Sequence, residues 1–381
     1  MEESTIEKAL AIAKSDLRSC YDKYGLVAGR NQYEDYWTRD AAMGCLAALE
    51  IGDIDICQKH LSFLISLQRK DGLIPFLIRQ YLTFFSFMGI KIATPLAAKF
   101  RSHKFYYLTE VIDSNPFFVI TGINFLRKFE NVPPEKYITS IEKALRWCLR
   151  KIDPKDFLAK EGYLAGWNDG IYKKGKTLMT NVLFSKAFSD WEKFCLEYNL
   201  DLRTEFIHLG DKIKQSIHNE FFNGNYFIDW IDRQKHDYFD SNANFLAIIW
   251  DIAEQSEAEK ILAFALEKLK DSPLVKTVHP RYPDSRVEFF DRLFFVKDYI
   301  TGKLYWTEPS SFFSMALKKM GRLAKAREVL NDLAEVIVSH NGVYELYEKD
   351  KRPVNRWNYK AEYPFARGAG SFILAYKYLY S

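Results

Sequence analysis

What most limits the folds open to this chain is an alternation in how its helical segments are joined. Apolar residues recur at helical spacing over twelve stretches: 5–23, 40–50, 54–68, 114–129, 135–150, 178–195, 203–219, 240–253, 257–268, 308–320, 323–338 and 366–379. Strand-like alternation is sparse; "GNYFIDWID" (224–232) and "GVYELYE" (342–348) read as short strands or extended loops. Simple connectors join 40–50 to 54–68, 240–253 to 257–268, and 308–320 to 323–338. Longer, aromatic-rich connectors lead into the segments that begin near 40, 114, 178, 240, 308 and 366. No sequence repeat accompanies the alternation, so it is architectural. Six helical hairpins with elaborate loops gathered at one end predict an all-α (α/α)6 barrel, its six inner helices starting at the floor of a central pocket. Residues 1–381 read as a single domain, with an apolar loop or lid insertion around 76–110. A helical solenoid would not need polar clusters at every second helix.

Those clusters are "YWTRD" (36–40), "VIDSNP" (111–116), "GWNDGIYKKGK" (166–176), "DYFDSNAN" (237–244), "LYWTEPSS" (304–311) and the long stretch from "GVYELYE" to "FARGAG" (342–370). In each, Trp or Tyr meets carboxylate, amide or Arg just before an apolar helix. Helix capping competes for Asp40, Ser114 and Asp240, because such side chains accept bonds from free amides at a helix start. Six clusters on the same side of every second helix instead predict the wall of a site for a polyhydroxylated ligand. Aromatics make up 16% of the chain, with 23 Tyr, 30 Phe and 8 Trp. Most serve the core, but their apolar faces also suit sugar rings.

Other chemistries find little support. Formal charge is +4 with both signs interspersed, which leaves no nucleic-acid footprint. None of the seven histidines stands in a metal-ligand pattern, and His60, His208 and His218 read as surface residues of charged helices. Phosphate-loop and nucleophile-elbow motifs are missing, and no cofactor is implied. Five scattered cysteines read as reduced core thiols. The first twenty residues lack a signal-peptide apolar region, and "QYLTFFSFMGI" (80–90) is shorter than the roughly 18 residues a membrane span needs. A cytoplasmic location is expected, and the apolar 80–98 segment would suit a lid or a dimer surface. What remains is carboxylate chemistry: Asp169 between Trp167 and Lys173, and Glu345 between Tyr344 and Tyr347. A surface salt bridge with Lys173 or Lys174 competes for Asp169, and an exposed place in a charged run competes for Glu345.

At these loops the chain resembles a known group. "YWTRDAAMGCLAAL", "QRKDGLIP", "IDSNPFFVITGINFL", "GWNDGIYKKGKTLMTNVLFSKAF" and "GVYELYEKDKRPVNRW" with "FARGAGSFILAYKYL" are similar, in order, to segments of (α/α)6-barrel glycoside hydrolases: glucoamylases, amylo-α-1,6-glucosidases of glycogen debranching, and neutral invertases. The likeness runs from about residue 35 to the end. It implies an inverting hydrolase of an α-linked glucoside or oligosaccharide, with Asp169 as general acid and Glu345 as general base. It further implies a sugar subsite built from Tyr36, Trp37, Arg39, Asp40, Asp113, Trp167, Trp306, Glu308 and Arg367, with no metal. Asn168 stands where glucoamylases carry their acid, and Ala366-Arg367 where relatives carry Ser-Trp. Three alternatives accompany this reading. One is a non-catalytic sugar-binding protein. Another is a phosphorolytic enzyme receiving phosphate on Arg367. The last is an epimerase using His279 and His340. Within the hydrolase reading, Glu308 competes with Glu345 as base.

Overall fold

The computed structural model describes residues 4–82, 90–102, 109–129, 134–270, 272–293 and 297–380. Twelve helices of eight or more residues are found among them: α1 Thr5–Ser19, α2 Thr38–Glu50, α3 Ile54–Ser66, α4 Ser114–Leu126, α5 Glu135–Leu149, α6 Leu178–Glu197, α7 Leu209–Phe221, α8 Ser241–Ile249, α9 Gln255–Lys268, α10 Thr307–Lys319, α11 Leu323–His340 and α12 Ala366–Tyr380. One further turn of helix spans Phe289–Leu293. The twelve correspond to the twelve expected stretches. α1 stops four residues early because the chain turns into a strand at Tyr21, and α8 ends at Ile249, with Asp251 in the left-handed region.

Two kinds of helix alternate. α4 buries all of its residues but Asn124, and α2 and α10 bury most of theirs, the pattern of helices surrounded on every side. α5 instead buries Tyr137, Ile138, Ile141, Ala144, Leu145 and Cys148, one face at helical spacing. The even-numbered helices pack in a cycle: α2 on α4, α4 on α6, α6 on α8, α8 on α10, α10 on α12, and α12 back on α2. Odd-numbered helices pack outside this cycle, α3 on α2 and α4, α5 on α4 and α6, α7 on α6, α11 on α10 and α12. One apolar cluster takes residues from every helix from α1 to α12.

The expectation of an all-α chain needs correction. Eleven short strands form four small sheets among the described residues. β1 (Tyr21–Asp22) pairs with β2 (Gly25–Leu26); β3 (Tyr36–Trp37), β4 (Leu77–Tyr81) and β5 (Ala93–Lys99) form a second sheet. β6 (Lys176–Thr177), β7 (Ile228–Ile231), β8 (Lys235–Asp240) and β9 (Val278–His279) form a third, and β10 (Tyr305–Trp306) pairs with β11 (Leu346–Tyr347). Strands β3, β6, β8 and β10 run straight into α2, α6, α8 and α10, so the sheets fix the loops at one end of the cycled helices. The 76–110 region supplies β4 and β5, with Ile90, Ile92 and Leu96 exposed; residues 83–89, the centre of the apolar run, lie outside the described residues. No helix among the described residues is long and apolar enough to cross a membrane.

Candidate active site

The strand–helix junctions decide where each side chain of "YWTRD" goes. Successive residues of a strand point to opposite faces, and β3 sends Tyr36 inward and Trp37 outward. Tyr36 is fully buried, its ring against Phe63 and its hydroxyl donating to Asp22 at 2.8 Å. It is therefore part of the core and not a ligand contact, which corrects the expected role. Trp37 is only half-buried and packs edge-on against Tyr33 and Phe76. β10 repeats the arrangement, with Tyr305 buried and Trp306 half-buried, its Nε1 donating to the Tyr299 carbonyl at 3.1 Å.

Arg39 and Asp40 occupy the first turn of α2, and neither caps it. Arg39 is buried and ion-paired with Asp113 at 3.0 Å, and it donates to the carbonyls of Gly166 and Trp167. These contacts make it a holder of the loop that carries Asp169. Asp113 lies wholly buried beneath it, where loss of water pushes its carboxyl above the usual range. Asp40 keeps an accessible carboxylate whose nearest cation is Arg367 at 3.9 Å. Burial pushes this carboxyl up, while Arg367 and Arg39 pull it down.

Arg367, on the first turn of α12, is buried and donates through Nε to Glu308 at 2.7 Å. Asn242 of α8 donates to the other oxygen of Glu308 at 2.9 Å. Each Glu308 oxygen thus has a protein donor, and the side chain is buried between α8 and α12. Nη2 of Arg367 is buried and has no hydrogen-bond partner among the described residues. The guanidinium lies 5.9 Å from the Trp167 ring centre, and Trp167 is itself anchored through Nε1 to Asp240 at 2.8 Å. Asp240 also caps α8 by accepting from the Ala243 amide at 3.1 Å. Capping therefore holds for Asp240 but not for Asp40 or Ser114, whose hydroxyl donates to the Ile74 carbonyl.

Asp169 is half-buried, and its carboxylate makes no hydrogen bond or ion pair among the described residues. The expected competitor for it does not form: Lys173 is buried and pairs with Asp229 at 2.9 Å, and Lys174 lies over the Tyr163 ring. Glu345 is buried, not part of an exposed run. Its Oε2 accepts from the Tyr359 hydroxyl at 2.6 Å and from the Glu362 amide at 3.3 Å. Burial pushes the Glu345 carboxyl up to about 8, against the pull of the Tyr359 hydrogen bond. The β10–β11 register, Trp306 opposite Leu346, sets Glu345 beside the entry to α10. The charges of both Asp169 and Glu345 act on the phenols of Tyr33 and Tyr299. Tyr299 stacks on Tyr359 with ring centres 5.4 Å apart.

Sequence reasoning missed Tyr33, Tyr299, Tyr359, Glu362 and Glu161. Tyr359 and Glu362 lie inside the long last cluster, whose aromatics were one available signal; Tyr299 lies in an irregular segment with none. Glu161 accepts from the Thr180 hydroxyl at 2.6 Å, and burial pushes it up to about 7. Among the histidines, His60 is buried on the inward side of α3, accepts from the Leu26 amide at 3.3 Å, and is pushed down to about 4, which corrects its expected surface place. His279 packs on Phe264, while His340 bonds the Lys351 carbonyl at the end of α11.

The structure is similar to that of the GH63 mannosylglycerate hydrolase from Thermus thermophilus in complex with Tris and D-glycerate, with a TM-score of 0.70 and 13% identity over 97% of this chain and 100% of that one. The same hydrolase in complex with glucose gives 0.69 at 13% identity, over 96% and 99%. A wild-type glycosidase gives 0.67 at 12% identity, over 100% of this chain and 99% of that one. At this level of identity the likeness is one of fold, which this chain shares with these hydrolases. No family model and no curated protein matches the chain in sequence.

Proposed function

We propose that the chain is a glycoside hydrolase acting by inversion on a small α-linked hexoside, with Asp169 and Glu345 as its two carboxyl groups. The observation that carries this is the place of their loops in the helix cycle, beside an Asp169 without a hydrogen bond or ion pair among the described residues and a buried Glu345. They arrive on the loops before α6 and before α12, the third and sixth members of the helix cycle, which are opposite places in a ring of six. Together with the fold likeness, that cycle supports an (α/α)6 barrel formed as one domain. Inversion asks for carboxyls on opposite faces of the sugar, roughly 6.5–9.5 Å apart, with water between. Asp40 then bonds a hydroxyl of the ring in the innermost subsite, Trp37 and Trp306 supply aromatic walls, and Arg39, Asp113, Glu308 and Arg367 hold the frame.

In this reading Asp169 protonates the leaving oxygen, and Glu345 takes a proton from water. Burial favours the reverse assignment: it pushes the Glu345 carboxyl up to about 8, the direction that suits a proton donor. A phosphorolytic site receives less support, because Arg367 is paired with Glu308 and stands beside Asp40, two carboxylates that repel phosphate. Epimerisation receives less support, because His279 packs on Phe264 and His340 is bonded to the Lys351 carbonyl.

The test is a screen of α- and β-linked disaccharides, glucosyl and mannosyl glycerates, and the matching glycosyl fluorides, with the first product anomer read by NMR. An α-linked substrate should release the β-anomer. Fluoride leaves without a proton, so the variant lacking the general acid keeps activity on the fluoride and the variant lacking the base does not. An α-anomer as first product overturns inversion.

A further inference from the structure

The loop that carries Glu345 is sewn to the loop that carries Tyr33, and one buried carboxylate makes three of the stitches. Glu362 is fully buried. Its Oε1 accepts from the Asn31 amide at 2.6 Å; its Oε2 accepts from the Gln32 amide at 2.7 Å and the Tyr33 amide at 3.3 Å. Its own backbone meets Glu345 twice: the Glu345 amide donates to the Glu362 carbonyl at 3.0 Å, and the Glu362 amide to Glu345 Oε2. The Asn31 side chain donates to the Tyr363 carbonyl at 2.6 Å, and the Ala366 amide to the Ala28 carbonyl at 2.9 Å. Gly29 leaves the room this needs, since a Cβ there would collide with the Glu362 carboxylate.

A carboxylate receiving three backbone amides is a device for fixing a turn, and burying it is tolerable because those amides satisfy it. The turn it fixes ends at Tyr33. Resting on the reading of Glu345 as catalytic, we propose that Glu362 is a positioning residue: it locks the 29–33 turn against the Glu345 loop, so that Tyr33 and the Glu345 carboxyl are held in one geometry, and its charge tunes that carboxyl. Glu345 is faced by Tyr359 and Glu362 on its own loop, by Asp40 from α2, by Tyr33 from the locked turn and by Tyr299 from the segment before β10. Glu362 and Asp40 are the carboxylates in this group, and both favour the protonated form of Glu345.

Two variants separate reach from charge. Glu362→Gln keeps the length and removes the charge; Glu362→Asp keeps the charge and draws the oxygens back from the amides. The first readout needs no substrate: 13C-glutamate-labelled protein is titrated by NMR, with Glu345 assigned by its loss in Glu345→Gln. In Glu362→Gln the Glu345 midpoint should move to lower pH by about half a unit or more, because a neighbouring negative charge is gone. The second readout is hydrolysis of whichever glycoside of the screen is turned over. In Glu362→Asp, kcat should fall about tenfold or more with KM within about threefold, because the turn no longer holds its geometry. An unmoved midpoint in Glu362→Gln overturns the tuning, and wild-type kcat in Glu362→Asp overturns the positioning. If Glu362→Gln does not fold, titrating Glu345 in Glu362→Asp replaces it: retained charge predicts a midpoint close to wild type, and a midpoint lowered by half a unit or more overturns the tuning. If no glycoside is hydrolysed, the reading of the site fails while the titration still decides whether Glu362 governs Glu345.

Discussion

Arg367 donates through Nε to Glu308 at 2.7 Å, and both side chains are buried at the junction of α10 and α12. Taking one partner from a buried pair leaves the other charge unsatisfied, at a cost of about 3–5 kcal/mol. Arg367→Leu should therefore lower stability by that order, and Arg367→Leu with Glu308→Leu should recover most of it. Urea unfolding of the two variants measures this. Equal stability of Arg367→Leu and wild type would show that the pair does not hold α10 to α12.

Asp40 is the carboxylate of the α2 turn with no hydrogen bond from another residue among the described residues, its nearest cation standing 3.9 Å away. A charge-assisted bond from it to a sugar hydroxyl contributes about 1.5–3 kcal/mol. Asp40→Ala should lower kcat/KM roughly ten- to a hundredfold while leaving the melting temperature nearly unchanged. Unaltered kinetics on an identified substrate would remove Asp40 from the subsite.

The parts of this site that the sequence made legible are those set by helix entries. "YWTRD", "GWND" and "YWTEP" each precede a cycled helix, and the contrast of long and short connectors survives in any register. Illegible were the two-residue strands, too short to show alternation. That blind spot explains Tyr36, because pairing of β3 with β4 turns it into the core while its neighbour Trp37 faces outward. Arg39 was legible as a site residue but not as a loop holder, since its carbonyl partners lie 127 and 128 residues away. Glu362 looked like one more charge in a polar run; only its long-range partners at 31–33 reveal it.

Stability should fall as pH rises from about 4 to 8. Burial pushes Glu345 up to about 8, Glu362 and Glu161 to about 7, and Asp16 and Asp240 to about 6. In the unfolded chain such groups titrate near 4. A raised folded value contributes stability that is complete below the unfolded value and lost as pH climbs through the folded one. His60 acts in the opposite sense: pushed down to about 4, it contributes stability above about 6.5 that is lost as pH falls toward 4. Calorimetry across pH 4–9 should place the highest melting temperature on the acid side of neutrality. A melting temperature that climbs steadily from pH 6 to 9 would contradict the burial of these carboxyls.

The remaining prediction concerns Tyr359, whose hydroxyl donates to Glu345 at 2.6 Å while its ring stacks on Tyr299. Tyr359→Phe keeps the stack and removes the donor. A phenol bonds an ionised carboxylate more strongly than a protonated one, so the native contact favours ionised Glu345, and losing it makes the proton harder to remove. A hydrogen bond to a charged group contributes about 1.5–3 kcal/mol, which at 1.36 kcal/mol per unit is roughly one to two pH units. The pH-dependent limb that Glu345 governs should move upward from about 8, opposite in direction to the shift expected for Glu362→Gln. If Glu345 is the base, activity at pH 7 falls tenfold or more and returns toward pH 9–10, because more alkali is needed to ionise it. If Glu345 is the acid, its proton persists to higher pH and the alkaline fall in activity is postponed. Either profile, read as kcat/KM against pH, assigns the role. A limb that stays where it was, in a protein whose circular dichroism is intact, would show that a group other than Glu345 carries it.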